Sequence, residues 1–234
     1  MKLALGLILI AAVTSVQANE NFTPATVKAA VHTGYIPDGF DTNDHVQIVA
    51  EGAFPNTCYR PASINGRVDE SKKAVVVDSL AYKYSGMCLQ MIVPFSSTVD
   101  VGLLKQGTYS VVDSGSNKAL GEMKVRVAPS SSADDFLYAP VSQAYLKNEA
   151  GATTVTVEGE FSNSCLSLKD VVVNVQPKVI VVQPVSELSD STDCKNGSFP
   201  FEKTVRVEGA NKGRYLLHVR SLNGKAINNL VDLY

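Results

Sequence analysis

Gly52-Ala-Phe54-Pro-Asn56-Thr-Cys58 returns later in the chain as Gly159-Glu-Phe161-Ser-Asn163-Ser-Cys165, and this recurrence indicates how the chain is organised. A second cysteine follows each copy, 30 residues on at Cys88 and 29 residues on at Cys194. The same distance separates each second cysteine from a Pro-Phe pair, at Pro94-Phe95 and Pro200-Phe201. A period of about 107 residues over most of the chain indicates a duplication, in which one module occurs twice.

The amino terminus has the composition of a secretory signal. Lys2 precedes an apolar run over residues 3–13, and small residues lead up to Ala18. We therefore predict a signal peptide over residues 1–18, a mature chain that begins at Asn19, and a periplasmic or secreted location. The apolar run is shorter than the roughly 20 residues that cross a bilayer as a helix, so a retained anchor is the weaker alternative and no membrane span is expected.

The charge balance restricts the classes of partner. The chain has 21 basic and 23 acidic residues, and loss of Lys2 with the signal leaves a net charge of about −3. Because there is no cluster of Lys and Arg, nucleic acid and anionic membranes are poor candidate partners. The oligomeric state stays open.

The four cysteines are expected to form disulfides, because an exported chain meets an oxidising compartment. Three pairings are possible, and the duplication selects Cys58 with Cys88 and Cys165 with Cys194, since a module that folded before it was copied closed its own bridge. Free buried thiols are the weaker alternative. Zinc is weaker still, because C-x-x-C spacing is missing and the chain has only three histidines.

Short strand patterns separated by turn residues, without a helical apolar period, predict an all-β fold. Modules of about 100 residues then indicate two tandem immunoglobulin/fibronectin-like β-sandwich domains, each with one internal disulfide. The predicted bounds are 27–128 for domain one, 129–135 for a linker and 136–234 for domain two. Tyr109 and Tyr215 recur at the same module position, with the spacing of a tyrosine corner.

Individual strands can also be predicted. Residues 27–36, 75–84 and 87–93 read as single strands, whereas residues 63–66 and 196–198 have the composition of turns. Two β-branched runs, residues 171–175 and 179–182, predict a hairpin in domain two. Because the hairpin hardly alternates between apolar and polar residues, we expect its strands to be covered on both faces or to form an interface.

Three segments carry a resemblance to a known group of proteins. They are Gly39-Phe40-Asp41-x-Asn43-Asp44, Gly52-x-Phe54-Pro55-Asn56-x-Cys58-Tyr59 and Met87-Cys88-x-x-Met91-Ile92-Val93-Pro94-Phe95. This combination resembles a group of uncharacterised exported bacterial proteins with no assigned function, and is strongest in domain one. The resemblance implies a bacterial, periplasmic or secreted origin, and it implies no activity.

The sequence contains no catalytic motif that we can recognise, so we predict that the protein is not an enzyme. His32, His45 and His218 stand in no metalloprotease or Ser/His/Asp pattern, and we expect each to be an ordinary strand or loop residue. Met87 and Met91 flank Cys88, which could suggest a soft copper site. A disulfide-bonded cysteine is no ligand, so we interpret the two methionines as core residues.

Features that only one copy of the module has are candidates for function. Domain one carries Asp38, Asp41, Asn43 and Asp44 within seven residues, a set of oxygen acceptors that makes the loop a weak calcium candidate. The alternative is that these side chains cap their own backbone amides in Asx turns, and no other cofactor is expected. Domain two carries the valine-rich hairpin, where domain one has the charged residues 69–73.

The function that these observations favour is an exported, non-catalytic binding or structural module that recognises a protein or a cell-envelope component through loops or a sheet edge. The alternative is an inhibitor of a secreted protease, which would use loops at one end of a sandwich. The proline-containing turns near Pro55 and Pro177 motivate this alternative.

Overall fold

A computed structural model describes residues 23–131, 137–149 and 151–234. These residues form β-strands and contain no helix, so none of them could cross a membrane as a helix. The predicted signal peptide lies outside the described residues, as do Phe136 and the last residues of the predicted linker.

The strands fall into two successive sets. The first set comprises β1 (Ala25–Lys28), β2 (Val31–Tyr35), β3 (Phe40–Asp41), β4 (Val46–Phe54), β5 (Tyr59–Asp69), β6 (Ala74–Lys83), β7 (Val93–Gly102), β8 (Gly107–Asp113) and β9 (Ala119–Arg126). The second set comprises β10 (Val141–Glu149), β11 (Ala152–Asn163), β12 (Leu166–Val175), β13 (Val179–Leu188), β14 (Asn196–Arg206), β15 (Gly213–Ser221) and β16 (Lys225–Leu233).

Domain one is a sandwich of two sheets. One sheet has the order β2-β4-β7, and the other contains β5, β6, β8 and β9, with the short strands β1 and β3 added to it. Alternate residues of β4, such as Val46, Ile48 and Ala50, point into the space between the sheets and pack against Val75 and Val77 of β6. Pairing is antiparallel except between β6 and β8 and between β3 and β9, which are parallel.

Domain two repeats this plan. Its sheets have the orders β10-β11-β14 and β12-β13-β15-β16, and β13 pairs with β15 in parallel as β6 does with β8. A register shift also recurs in the first strand of the smaller sheet, after Val31 in domain one and after Val141 in domain two. The protein is therefore all-β, with two tandem β-sandwich domains that each contain one disulfide, Cys58–Cys88 and Cys165–Cys194.

The repeated Gly-x-Phe-x-Asn-x-Cys motif has a packing explanation. Gly52 pairs with Phe95 on the neighbouring strand, and a Cβ atom at Gly52 would lie 2.4 Å from both the Ala30 carbonyl oxygen and the Phe95 ring. Gly159 and Phe201 repeat this arrangement. Only glycine leaves room for the ring, and the ring covers the strand where glycine offers no side chain.

The asparagine and the tyrosine of each module also have structural roles. The Asn56 side chain accepts a hydrogen bond from the Cys58 amide at 3.0 Å, and Asn163 does the same for Cys165. The Tyr109 hydroxyl donates to the Lys105 carbonyl at 3.0 Å, whereas the Tyr215 hydroxyl accepts from the backbone amide four residues earlier, at Asn211. The predicted tyrosine corner is confirmed in both copies.

One predicted strand, over residues 87–93, and two predicted turns were wrong. Residues 84–92 belong to no strand, and β7 begins at Val93 and runs through Pro94 at a sheet edge, where a missing amide is tolerated. Residues 63–66 lie within β5 and residues 196–198 within β14, so both predicted turns are wrong. Gly66 provides close approach instead of a turn, because a Cβ atom there would lie 3.1 Å from the Val99 side chain.

The predicted strand over residues 27–36 is interrupted at Ala29 and Ala30. β1 pairs with β6 in the larger sheet, and β2 pairs with β4 in the smaller one. The chain thus changes sheet at this point, which a continuous apolar pattern cannot reveal.

Candidate functional site

The loop over residues 38–44 lies at the junction of the two domains and is organised by its own side chains. Asp41 Oδ1 accepts a hydrogen bond from the Asn43 amide, and Asp44 Oδ2 accepts one from the Asp41 amide, both at 2.9 Å. The Asp38 amide donates to the Gln176 side chain of domain two at 3.1 Å. The bonds accepted by Asp41 and Asp44 are those expected if the loop side chains cap their own backbone amides.

Arg220 of β15 joins this loop to domain two. Its Nη1 lies 3.1 Å from Asp44 Oδ2, and the guanidinium packs over the rings of Phe40 and Tyr138, at 4.9 and 5.9 Å from their centroids. Both charged side chains are largely buried, and Nε and Nη2 of Arg220 have no hydrogen-bond partner among the described residues. Removal of either partner would leave the other charge desolvated, so this pair couples the two domains strongly.

A hydrogen-bond chain crosses the same junction beside Arg220. His218 Nδ1 lies 2.7 Å from Asn228 Oδ1, and Asn228 Nδ2 donates to Gln47 Oε1 of domain one at 2.9 Å. Burial lowers the pKa of His218 to about 4, because a charged imidazole would lose its hydration, and the nearby Arg220 adds to this effect. His218 is therefore neutral at pH 7, and it packs edge-on against Phe40.

An apolar cluster completes the junction. Tyr35 and Val49 of domain one contact Val179, Val181 and Leu216 of domain two. The Tyr35 hydroxyl donates to Glu51 at 2.7 Å, and burial and this carboxylate together raise the pKa of Tyr35 to about 12. Glu51 also forms an ion pair with Arg214 of β15 at 3.1 Å.

The predicted coverage of the valine-rich hairpin is confirmed for β13. Val179 and Val181 face domain one, whereas Ile180 and Val182 lie in the core of domain two. The partner strand β12 is covered on one face only, since Val172 is exposed.

The calcium candidates do not converge on one point that the structure identifies as a site. Asp38 is exposed, and Asp44 faces a guanidinium that competes with a cation for its carboxylate. Within the described ranges, no group of three or more His, Cys, Asp or Glu residues is arranged to hold a metal ion. Calcium binding by Asp38, Asp41, Asn43 and Asp44 stays a prediction.

A further difference between the domains lies in residues 85–92, which we call the apolar loop. The Cys58–Cys88 disulfide and two hydrogen bonds between Thr57 and Leu89 fix its frame. The Leu89 amide donates to Thr57 Oγ1 at 3.0 Å, and the Thr57 amide donates to the Leu89 carbonyl at 3.2 Å. At the base of the loop, the Tyr84 amide donates to the Cys58 carbonyl. The disulfide and these hydrogen bonds therefore restrain the loop at Cys88, at Leu89 and at its base.

The loop presents four large apolar side chains to solvent. Met87 is fully exposed, and Leu89, Met91 and Ile92 are each more than half exposed. The interpretation of Met87 and Met91 as core residues was therefore wrong, because the disulfide holds this segment outside the sandwich. A cluster of this kind on an ordered loop marks an interaction site more often than a scattered apolar residue does.

Domain two builds the same frame with different side chains. Cys165–Cys194 corresponds to Cys58–Cys88, and Ser164 and Lys195 exchange the hydrogen bonds that Thr57 and Leu89 exchange in domain one. On this frame the positions of the four apolar side chains are occupied by polar residues or glycine: Asp193, Lys195, Gly197 and Ser198. The fold therefore does not require apolar residues here.

Comparison with known proteins supports the fold of domain one. Residues 48–119 match the family model of the ORF11 beta-sandwich domain. The matched range begins within β4, ends at the first residue of β9 and includes Cys58, Cys88 and the apolar loop. Neither a curated protein nor a solved structure matches the chain significantly.

Sequence reasoning missed both the apolar loop and Arg220. The loop could have been found by aligning the two modules on Cys88 and Cys194, which places Met87 opposite Asp193 and Leu89 opposite Lys195. Arg220 gave no such signal, because its partner Asp44 is 176 residues away in the chain.

Proposed function

We propose that this protein is an exported, non-catalytic binding module, periplasmic or secreted, which recognises a protein or another cell-envelope component through the apolar loop of domain one. The observation that carries this proposal is the difference between two loops built on one frame. Met87 and Leu89 are exposed in domain one where domain two has Asp193 and Lys195. Exposed apolar side chains oppose folding and solubility, so their presence on a frame that tolerates charge indicates a contact with a partner.

The remainder of the molecule supports this assignment by holding the loop rigidly. The disulfide and the Thr57–Leu89 hydrogen bonds order the loop before it meets a partner, which lowers the conformational entropy lost on binding. Domain two packs through β13 and β15 against β2 and β4 of domain one, and its role in this proposal is structural.

Inhibition of a secreted protease is the second candidate, and it would use the same end of domain one. Pro55 is exposed and lies two residues before Thr57, which holds the apolar loop. Pro177, by contrast, lies in the turn between β12 and β13, beside the domain junction.

Capture from envelope extracts tests the proposed function. The matched variant carries Met87→Asp and Leu89→Lys, which copies the residues of domain two onto the same frame and leaves the net charge unchanged. We expect immobilised wild-type protein to retain a specific component that this variant loses. Retention of the same components by both proteins would refute a role of the apolar loop, and retention of an inactive protease would favour the second candidate.

A further inference from the structure

The charge around the apolar loop differs from that of the whole chain, whose balance made anionic membranes a poor candidate partner in the sequence analysis. Residues 54–68 and 79–99, which include the apolar loop and the strand ends beside it, contain no Asp or Glu. Arg60 and Lys83 are exposed beside the loop, and so are Tyr82 and Tyr84. The end of the domain therefore combines an apolar tip with phenol rings and two cations.

The nearest carboxylates along the strands that lead to this end are already compensated. Asp78 of β6 forms ion pairs with Lys28 and Arg67, and Glu51 of β4 forms one with Arg214. Asp78 precedes Lys83 by five residues, about 16 Å of extended strand, which exceeds the Debye length of roughly 8 Å at physiological ionic strength. Among the described residues, the charged side chains beside the apolar loop are thus basic, although the chain as a whole is slightly acidic.

We propose that the apolar loop inserts into the interfacial layer of a lipid membrane that carries anionic headgroups. This inference rests on the proposed function and names its partner. Met87, Leu89 and Ile92 enter the boundary of the acyl chains, Tyr82 and Tyr84 lie at the level of the headgroups, and the cations contact phosphates. Apolar tip, aromatic belt and cationic rim are the elements of an interfacial anchor.

The geometry favours lipid over a folded protein as the partner. A stable protein complex buries about 800 Å² on each side with shape complementarity, whereas an eight-residue projecting loop supplies only part of such an area. Lipid requires no complementary shape. Anionic headgroups also provide the negative charge that complements Arg60 and Lys83. Each cation adds to the electrostatic attraction, which weakens as the salt concentration rises.

The course of the chain is consistent with this orientation. Ala25, the first residue of β1, pairs with Lys83, so the chain enters domain one at the same end as the apolar loop. The predicted cleavage site after Ala18 is seven residues away, at most about 25 Å of extended chain.

Vesicle flotation tests the proposal. We expect the full chain as exported to float with vesicles of phosphatidylcholine and phosphatidylglycerol in a 7:3 ratio, and to bind vesicles of phosphatidylcholine alone at least about fivefold more weakly. Met87→Asp with Leu89→Lys should weaken binding to the mixed vesicles at least about tenfold, because the apolar contact is lost without a change in net charge. Leu188→Ser, at an exposed leucine of domain two, should have no effect.

A fluorescence measurement separates insertion from adsorption by charge. The chain has no tryptophan, so Leu89→Trp introduces a single reporter, and Leu188→Trp provides its control. We expect a blue shift with mixed vesicles for position 89 and none for position 188. Absence of binding to the mixed vesicles, equal binding by the Met87→Asp, Leu89→Lys variant, or an unshifted spectrum at position 89 would overturn the lipid proposal.

Different results would refute the lipid proposal and the proposed binding function. If vesicles are not bound but a protein is captured through Met87 and Leu89, the lipid proposal fails and the binding module stands. If neither vesicles nor any envelope component depends on these residues, both fail.

Discussion

Arg220 and Asp44 form a largely buried ion pair, 3.1 Å apart, between strand β15 of domain two and the loop before β4 of domain one. The aromatic rings of Phe40 and Tyr138 enclose the guanidinium, and the neutral His218 lies beside it. Through this pair the loop over residues 38–44, predicted as a weak calcium candidate, contributes to the contact between the domains.

The ion pair gives the first prediction. Asp44→Asn should lower the free energy of unfolding by about 3 kcal/mol, because Arg220 is left charged and desolvated. Replacement of both partners, Asp44→Asn with Arg220→Met, should recover at least half of this loss, since no buried charge remains. Denaturant titration of the two single variants and the double variant measures the coupling. Additive losses would contradict the assignment of this pair as the main polar contact of the junction.

His218 gives a prediction about pH. Its pKa is about 4 in the folded protein and near 6.5 when unfolded, so the unfolded chain binds a proton first as the pH falls. The free energy of unfolding should therefore decrease between pH 6.5 and pH 4, by roughly 3 kcal/mol in total, and His218 should contribute no pH dependence above that window. Melting curves of wild type and His218→Gln test this, because the variant should show a shallower decline over this range. Parallel declines would contradict the prediction.

Neighbouring valines of β13 provide a matched pair of substitutions. Val181 faces domain one and Val182 faces the core of domain two. Val181→Lys should separate the domains and raise the radius of gyration in small-angle scattering, while both sandwiches stay folded. Val182→Lys should unfold domain two, because it buries an unpaired charge in the core. A Val181→Lys protein with the scattering profile of wild type would show that this contact does not hold the domains together.

Calcium binding by the loop over residues 38–44 is testable by melting. Because Arg220 competes for Asp44 and the Asp41 carboxylate accepts a backbone amide, we expect identical midpoints in about 5 mM CaCl₂ and in EDTA at matched ionic strength. A rise in calcium that Asp41→Asn with Asp44→Asn abolishes would instead establish the loop as a calcium site.

From the duplication, the sequence predicted the tyrosine corner and the disulfide pairing, and it marked the other repeated residues as shared without predicting the contacts that they make. Each copy keeps the glycine under a phenylalanine ring, the asparagine that caps the cysteine turn, and the tyrosine of the corner, because each satisfies a local packing or hydrogen-bonding requirement. Pairing of Cys58 with Cys88 and of Cys165 with Cys194 followed from the same argument.

What the sequence could not reveal depends on the position of a segment relative to the rest of the fold. Residues 87–93 are apolar enough for a buried strand, but residues 87–92 lie outside the sandwich, where Cys88 and Leu89 are anchored to the turn at Thr57. The junction likewise depends on Asp44 and Arg220 meeting across the whole molecule, and no local period or spacing reports such a contact.

We propose that the apolar loop is the surface by which this protein contacts the cell envelope. Photo-cross-linking in the exporting cell tests it most directly, with a benzophenone amino acid placed at Leu89 and, as control, at the exposed Leu188 of domain two. We predict adducts with an envelope component, lipid or protein, from position 89 and none from position 188. Equal adducts from both positions, or no adduct from position 89, would contradict the account.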